Sequence, residues 1–223
     1  MGHLLKNRAV VLVSYANEGP VTDNHLKITE TQLDINACKQ GEVVVQNMWA
    51  SVDPYLRWLM KDSNALLNID SFKLDQPIIS IMIGRVVASA NAEFQVGDVV
   101  SGIYGVAEYS ILGGSSLRKL DTNLYKPLDF LGPLGIVGLS AWVGLVLIGE
   151  PKPGDQVFVS AAAGAVGLLV GQLAKINGCR VVGSAGSDQK ISPEVDAFQE
   201  KIRNQNRNQE LWQSKYARLR DYT

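Results

Sequence analysis

Cysteine and histidine are scarce in this chain, which has two of each among its 223 residues. Cys38 and Cys179 are too few for a disulfide framework, so we expect two free thiols and a reducing compartment. Together with His3 and His25 they show none of the CxxC or HExxH spacings that gather zinc ligands. The sequence therefore predicts no metal site.

An excess of either charge is also lacking. The formal net charge is −1, which gives no electrostatic footprint for nucleic acid or for an anionic membrane, so we expect neither partner. The run AVVLVSYA follows Lys6 and Arg8 as in a secretory signal, but no small-residue cleavage site follows cleanly and the run suits a first strand. Lys6 also stands where an N-myristoylation signal requires Ser or Thr. We predict a cytoplasmic protein.

One long stretch lacks charge altogether. Residues 130–149, FLGPLGIVGLSAWVGLVLIG, are long enough to span a bilayer. Against a membrane span stand Pro133, five glycines, and the acidic flanks Asp129 and Glu150 without a positive flank. A helix buried inside the protein explains the same composition, and we predict that structure.

The first part of the chain is rich in short β-branched segments. RAVVLVSY, EVVVQNMWASV, IGRVVASA and GDVVSGIYGVAEYSIL are each bounded by Gly, Asn, Asp or Pro. Strands at this spacing, without helices between them, predict a compact β-barrel or sandwich. PYLRWLMKDSNALLN has apolar residues at helical spacing and predicts one helix and a loop.

The pattern changes to strand, turn, helix and strand after the apolar stretch. QVFVS predicts a strand, residues 165–176 a helix closed by Gly178 in a left-handed cap, and RVVG a second strand. This is one βαβ unit, half of what a doubly wound nucleotide-binding domain contains. The tail, residues 191–223, is polar with a ragged apolar stripe, and we expect a surface helix and no third strand there.

The turn AAAGAVG before the helix carries the candidate chemistry. Ala161, Gly164 and Gly167 follow an A-x-x-G-x-x-G spacing, one step from the dinucleotide fingerprint. Small residues let the backbone approach a pyrophosphate, and the amides of Ala165, Val166 and Gly167 would face that anion at the helix N-terminus. Alanine at the first position is tolerable if its φ is negative. The alternative is a small-residue packing turn without a nucleotide.

The end of the second strand distinguishes NADP from NAD. An NAD site uses an acidic residue there, but the chain has Ser184 and Ala185, followed by Ser187 and Lys190. Asp188 comes later, in the loop beside Ser187 and Lys190. Hydroxyls and a cation without a carboxylate at the strand end favour the 2′-phosphate of NADP. The alternative is that Lys190 is a solvated loop lysine.

Four separated segments carry a family resemblance. They are SVDPYLRWLM, VGDVVSGIYGVAEYSIL, LGPLGIVGLSAWVGL and VSAAAGAVGLLVGQLAKINGCRVVGSAGSDQK. In this order they resemble the zinc-free, medium-chain NADP-dependent reductases of alkenal and alkenone double bonds, a group that includes the prostaglandin reductases. The resemblance implies an α/β fold in which a GroES-like β-barrel domain precedes a Rossmann domain, with the cofactor between them. It also implies hydride transfer from NADPH to the β-carbon of an α,β-unsaturated aldehyde or ketone.

The resemblance extends to single site residues. Tyr55 matches a tyrosine that lines the family's cleft and would donate to the substrate carbonyl, although a tyrosine at the barrel edge with a solvated hydroxyl is the alternative. Ser140 would bond the nicotinamide amide. Trp142 stands where the family often has tyrosine, which predicts a different substrate shape.

The resemblance ends after Lys190. We therefore expect residues 1–128 to form the GroES-like domain, 129–190 an incomplete Rossmann βαβ domain, and 191–223 a divergent helical tail. This predicts a C-terminally truncated reductase that lacks the segment through which the family often forms homodimers. The alternative function is that of an inactive remnant which acts, if at all, as a binding protein.

Overall fold

The computed structural model describes residues 4–62, 70–187 and 190. The chain divides into two compact units, Met1–Leu131 and Gly132–Thr223. The predicted tail, residues 191–223, and part of the segment after the first helix, residues 63–69, lie outside the described residues.

The N-terminal unit is built from antiparallel strands. The strands are β1 (Leu4–Leu12), β2 (Leu26–Asp34), β3 (Glu42–Ala50), β4 (Ile79–Ser89), β5 (Val99–Gly105), β6 (Tyr109–Gly113) and β7 (Leu117–Lys119). A five-stranded sheet has the order β6-β3-β4-β5-β7, and β1 pairs with β2 in a separate two-stranded sheet. The predicted β-rich first part is confirmed, and β2 was not foreseen.

The two sheets of this unit are joined through β1. Isolated bridges pair Ala9 with Ala107 and Val11 with Pro77. The buried Asn7 side chain accepts from Tyr109 N–H at 2.9 Å and donates to the Tyr109 carbonyl at 3.1 Å. Because a buried amide side chain needs both partners, this pair fixes β1 against β6.

β-Branched residues fill the core of the N-terminal unit. Val43, Val45, Val86 and Val100 pack in one buried cluster with Phe94. A second cluster, which includes Leu12, Leu56 and Phe72, packs around the short helix α1 (Tyr55–Leu59). The predicted helix after Pro54 is therefore present but short.

The C-terminal unit begins within the uncharged stretch, which is not one helix. A 3-10 turn (Pro127–Phe130) precedes a loop, α2 (Ile136–Trp142) starts only after Gly135, and a π-helical segment (Val143–Ile148) follows. Pro133 disfavours a helix through the residues before it, and Gly135 precedes α2 with an extended backbone. No helix among the described residues is long and apolar enough to cross a bilayer.

The βαβ unit follows as predicted. β8 (Gln156–Val159) and β9 (Arg180–Gly183) are parallel, and α3 (Ala165–Ile176) connects them. Gly178 has a φ of +77°, so the left-handed helix cap is confirmed. Leu173 and Ala174 of α3 form a buried cluster with Ala141, Trp142 and Leu145.

Candidate functional site

The turn between β8 and α3 presents free backbone amides. Gly164 precedes α3 with an extended backbone, and no side chain caps the helix. Leu168 N–H donates to the Gly164 carbonyl at 2.9 Å, which leaves the amides of Ala165, Val166 and Gly167 without an intrahelical acceptor. Ala165 and Val166 are exposed. This geometry can receive an anion at the positive end of the helix dipole.

Glycine is required at two positions around this turn. A Cβ on Gly167 would lie 2.8 Å from the Cα of Ala162 and closer still to the Ala161 carbonyl oxygen. A Cβ on Gly183, at the end of β9, would lie 2.6 Å from the Cβ of Ala162. Both distances are shorter than those that real Cβ atoms make. The turn, α3 and β9 therefore pack so closely that no side chain fits at these two positions.

Ala161 does not meet the condition under which alanine replaces glycine without strain. Its φ is +48°, in the left-handed region, and not negative. The Ala161 carbonyl accepts from Gly164 N–H at 2.8 Å, which closes the turn. The fold thus holds a non-glycine residue in a strained conformation at the point where the chain leaves β8.

Ser184 ties the turn to the second strand, a role that the sequence patterns did not identify. Ala162 N–H donates to the Ser184 carbonyl at 2.8 Å, and Ser184 N–H donates to the Val159 carbonyl at 3.0 Å. Only backbone atoms form these bonds, so the residue types at these positions do not predict them. The glycine at position 183, which lies close to Ala162, is the sequence feature that fits this contact.

The two residues predicted to bind the 2′-phosphate, Ser187 and Lys190, follow β9. Ser187 and Lys190 are both exposed, and Lys190 N–H donates to the Ser187 carbonyl at 3.1 Å. The Lys190 ammonium makes no ion pair with the part of the chain that the structure describes. Because β8 and β9 are parallel neighbours, this loop and the turn after β8 leave the same edge of the sheet.

Ser140 and Trp142 lie on α2 but in different environments. Ser140 is exposed, and its hydroxyl donates to the Ile136 carbonyl at 2.8 Å, so its lone pairs stay available as acceptors. Trp142 is only 6% exposed and packs among Leu145 and Leu173. The indole therefore lies in the core between α2 and α3, and its effect on substrate shape stays a prediction.

Tyr55 lies in the N-terminal unit as the first residue of α1. Its ring packs against the cluster around Leu12 and Leu59, and its hydroxyl bonds to no group within the described residues. Burial, with a smaller contribution from the charge of Asp53, raises the pKa of the Tyr55 hydroxyl above its usual value. The hydroxyl is therefore a protonated donor. Asp53 was not foreseen as its neighbour.

A polar groove occurs elsewhere in the N-terminal unit and contains none of the predicted site residues. Its volume is about 510 Å³, and it is lined by Lys6, Arg8, Gln46, Asn47, Glu108 and Tyr109. Its cations already have partners, since Arg8 forms an ion pair with Glu108 and Lys6 with Glu30. No group of three or more metal-ligating side chains is found in the described residues.

Comparison with known proteins agrees with this architecture. Residues 8–120 match the family model described as the N-terminal domain of oxidoreductase. A Bacillus subtilis protein named as an NADP-dependent oxidoreductase, YfmJ, is 48% identical over 153 residues, which are 69% of this chain and 44% of that protein. An NADP(+)-dependent 2-alkenal reductase of Nicotiana tabacum is 37% identical over 193 residues, 86% of this chain and 56% of that enzyme.

A solved structure shares the fold. The crystal structure of CurA from Vibrio vulnificus in complex with NADPH superimposes with a TM-score of 0.73 at 36% identity, covering 82% of this chain and 52% of that one. The chain thus spans about half the length of the relatives that it matches.

Proposed function

We propose that this chain binds NADPH and catalyses the reduction of a conjugated carbon–carbon double bond. The premise is that the chain belongs to the NADP-dependent oxidoreductase family that includes the 2-alkenal reductases. The substrate class is an α,β-unsaturated aldehyde or ketone. The membership is supported over 86% of the chain for the tobacco enzyme. The cofactor, the reaction and the substrate are proposals for this chain.

The observation that carries the proposal is the uncapped, exposed turn before α3. Three free amides, of Ala165, Val166 and Gly167, stand at the positive end of a twelve-residue helix. Gly167 and Gly183 bring the backbone close enough that no side chain intrudes on the approach. These features fit a pyrophosphate, with Ala161 and Gly164 closing the turn beneath it.

The loop after β9 supports NADP rather than NAD. Ser187 and Lys190 are exposed there. Ser184 and Ala185 follow the end of β9 at Gly183, where an NAD site uses a carboxylate. We assign Ser187 and Lys190 to the 2′-phosphate. An ammonium and a hydroxyl both favour a doubly charged group over a neutral ribose hydroxyl.

Tyr55 and Ser140 take the polar roles in the chemistry that we propose. Bound NADPH would supply a hydride for the β-carbon of the substrate, and water would supply the proton for the α-carbon. Negative charge develops on the carbonyl oxygen during hydride addition, and the Tyr55 hydroxyl donates to it. A tyrosine hydroxyl is protonated at neutral pH, and burial raises the pKa of Tyr55 further from that range. The exposed Ser140 hydroxyl, which donates to the Ile136 carbonyl, would accept from the carboxamide of nicotinamide.

Cofactor binding is tested by fluorescence titration of the purified protein with NADPH and NADH. Lys190→Ala should weaken NADPH binding about tenfold and leave NADH binding unchanged, because one charge-assisted contact to the 2′-phosphate is lost. Lys175→Ala, at an exposed lysine in the last turn of α3, is the matched control and should change neither. No binding of NADPH at high micromolar concentration would end the proposal.

Turnover is tested with a short 2-alkenal by following NADPH absorbance. Tyr55→Phe should lower kcat about a hundredfold, as the loss of one oxyanion donor does, with NADPH affinity unchanged. Tyr125→Phe is the control, since its ring packs edge-on against Phe130 and has no assigned role in the reaction. NADPH binding without turnover by the parent protein would favour the binding-protein alternative instead.

A further inference from the structure

The loop between β1 and β2 lies against the short helix α1. We call this loop, residues 13–25, the strap, and it contains no helix or strand. Ala16 N–H donates to the Met60 carbonyl at 2.8 Å, and the Arg57 guanidinium donates to the Gly19 carbonyl at 2.8 Å. These two hydrogen bonds tie the strap to α1 and to the residue that ends it.

The strap also contributes to the core around α1. Ala16 is fully buried in the cluster that contains Leu12, and Tyr15 and Val21 pack against that cluster. Tyr55 packs against the same cluster. Because core residues are closely packed, the position of the strap affects the packing around Tyr55.

His25 closes the base of the strap. Its backbone carbonyl accepts from Val13 N–H at 2.8 Å, and its own N–H donates to the Thr22 carbonyl at 3.0 Å. The ring takes part as well, because Thr22 N–H donates to Nδ1 of His25 at 3.0 Å and the Thr22 hydroxyl lies 2.9 Å from the same nitrogen. Both ends of the strap thus meet at this histidine.

The Thr22 amide determines which ring nitrogen of His25 carries the proton. A backbone N–H can only donate, so Nδ1 accepts through its lone pair and the proton of the neutral ring lies on Nε2. The Thr22 hydroxyl can rotate and accept from a protonated Nδ1, but the amide cannot. Protonation of Nδ1 therefore breaks the bond from Thr22 N–H and leaves that amide without its acceptor, which destabilises the closed strap.

We propose that His25 is a pH-sensitive latch: the neutral ring holds the strap closed against α1, and protonation of Nδ1 releases it. Histidine side chains change protonation between about pH 5 and 8, and His25 is only partly buried, so protons reach it from solvent. The latch stabilises the closed strap at the upper end of this range and is lost as the pH falls. The proposal does not depend on the cofactor or the reaction proposed above.

The charged groups around the strap do not bond to this ring. They come from the strap, from β2, from α1 and the residues after it, and from the segment bonded to the end of β1: Glu18, Asp23, Lys27, Arg57, Asp62 and Asp75. Within the part of the chain that the structure describes, none of them forms a hydrogen bond or an ion pair with His25. The contact with Thr22 is therefore the one that depends directly on the charge of the ring.

Amide hydrogen exchange of the full chain, followed by mass spectrometry, tests the latch. Exchange rates of the strap at about pH 5 and about pH 7.5, either side of the histidine range, are divided by the rates of unstructured peptides at the same pH. The protection of the strap should fall at least about fivefold at the lower pH, as expected for the loss of one hydrogen bond. β3 (Glu42–Ala50), in the same unit, is the reference and should keep its protection.

Two substitutions of His25 separate the latch from other effects of pH. His25→Asn keeps an acceptor oxygen near the position of Nδ1 and does not titrate, so the protection of the strap should be the same at both pH values. His25→Leu removes the acceptor and should lower the protection at both. His3→Asn, at the other histidine of the chain, is the matched control and should leave the pH dependence unchanged.

Several results would overturn the proposal. One is strap protection that does not change with pH in the parent protein, and another is protection that still falls at the lower pH in His25→Asn. Equal losses in the strap and in β3 would mean acid unfolding of the whole unit. If His25→Asn does not fold, nitrogen-15 NMR of the parent protein decides. A proton on Nδ1 of neutral His25 would reject the latch, whereas a proton on Nε2 and a Thr22 amide signal that shifts as the ring titrates would support it.

Discussion

The two units of this protein bury their apolar residues in different ways. In the N-terminal unit, Leu12, Val43 and Val100 come from three different strands and are all fully buried. In the C-terminal unit, α3 covers one face of β8 and β9, while Phe158 and Val182 on the other face stay mostly exposed. An antiparallel sheet tied to a hairpin can enclose its own core, whereas two parallel strands need a layer on each side.

The difference separates the larger buried core from the turn and loop that we propose to bind the cofactor. The exposed turn before α3 and the loop after β9 belong to the unit with the one-sided sheet. The larger enclosed core belongs to the unit that carries Tyr55. We therefore expect core substitutions in the N-terminal unit to have the largest effects on stability, and changes at the turn to act on ligand binding.

The largest expected effect is at Leu12, which is fully buried in β1. Leu12→Ala should reduce the free energy of unfolding of the N-terminal unit by about 2–5 kcal/mol, because it leaves a cavity. Ile28→Ala, at a residue of the paired strand β2 that is 66% exposed, should cost less than about 0.5 kcal/mol. Urea unfolding followed by intrinsic fluorescence measures both. Similar losses in the two variants would contradict an enclosed core around β1.

The next effect is at Gly167, where a methyl group meets the backbone of Ala161 and Ala162. Gly167→Ala should destabilise the C-terminal unit by about 1–3 kcal/mol, as overpacking does, and should abolish NADPH binding. Gly171→Ala is the matched control on the same helix, because its Cβ would lie 3.8 Å from Val181 and make an ordinary contact. It should stabilise α3 by about 1 kcal/mol. Thermal unfolding and NADPH titration measure the pair, and equal behaviour would show that the turn is not tightly packed.

The smallest effect is at Ala161 and has the opposite sign. Ala161→Gly relieves a left-handed φ of +48° and should stabilise the C-terminal unit by about 1 kcal/mol. Ala165→Gly, at the start of α3, should instead destabilise it by about 0.5–1 kcal/mol, because glycine is a poor helix residue. A rise in Tm for the first variant and a fall for the second are the expected results. A fall for both would mean that residue 161 carries no backbone strain.

Local sequence patterns predicted most of the backbone. The bounds of α3 and β9 agree with the predicted segments, and the left-handed cap at Gly178 is present. These features depend on residues near one another in the chain, such as apolar spacing and a glycine after the last helical turn. β2 was missed because its apolar residues alternate weakly and it is largely exposed.

The candidate site was harder to predict in detail. Gly164 and Gly167 lie at the turn, but the left-handed φ of Ala161 follows from closing the hydrogen bond to Gly164 N–H. Asp53 was missed as a neighbour of Tyr55, because its effect depends on how α1 begins rather than on a motif. The assignments of Tyr55, Ser140, Ser187 and Lys190 remain predictions.

The sequence by itself determined where strands, helices and the glycine turn occur, since periodicity and turn residues act over a few positions. Tertiary structure decided which faces are covered. Trp142 became a core residue because α3 packs over it, and α2 began at Ile136 because the preceding loop takes up Pro133. Phe158 and Val182 stay exposed because α3 lies on the opposite face of their sheet. Burial of a side chain depends on elements far away in the chain, and no local pattern encodes their positions.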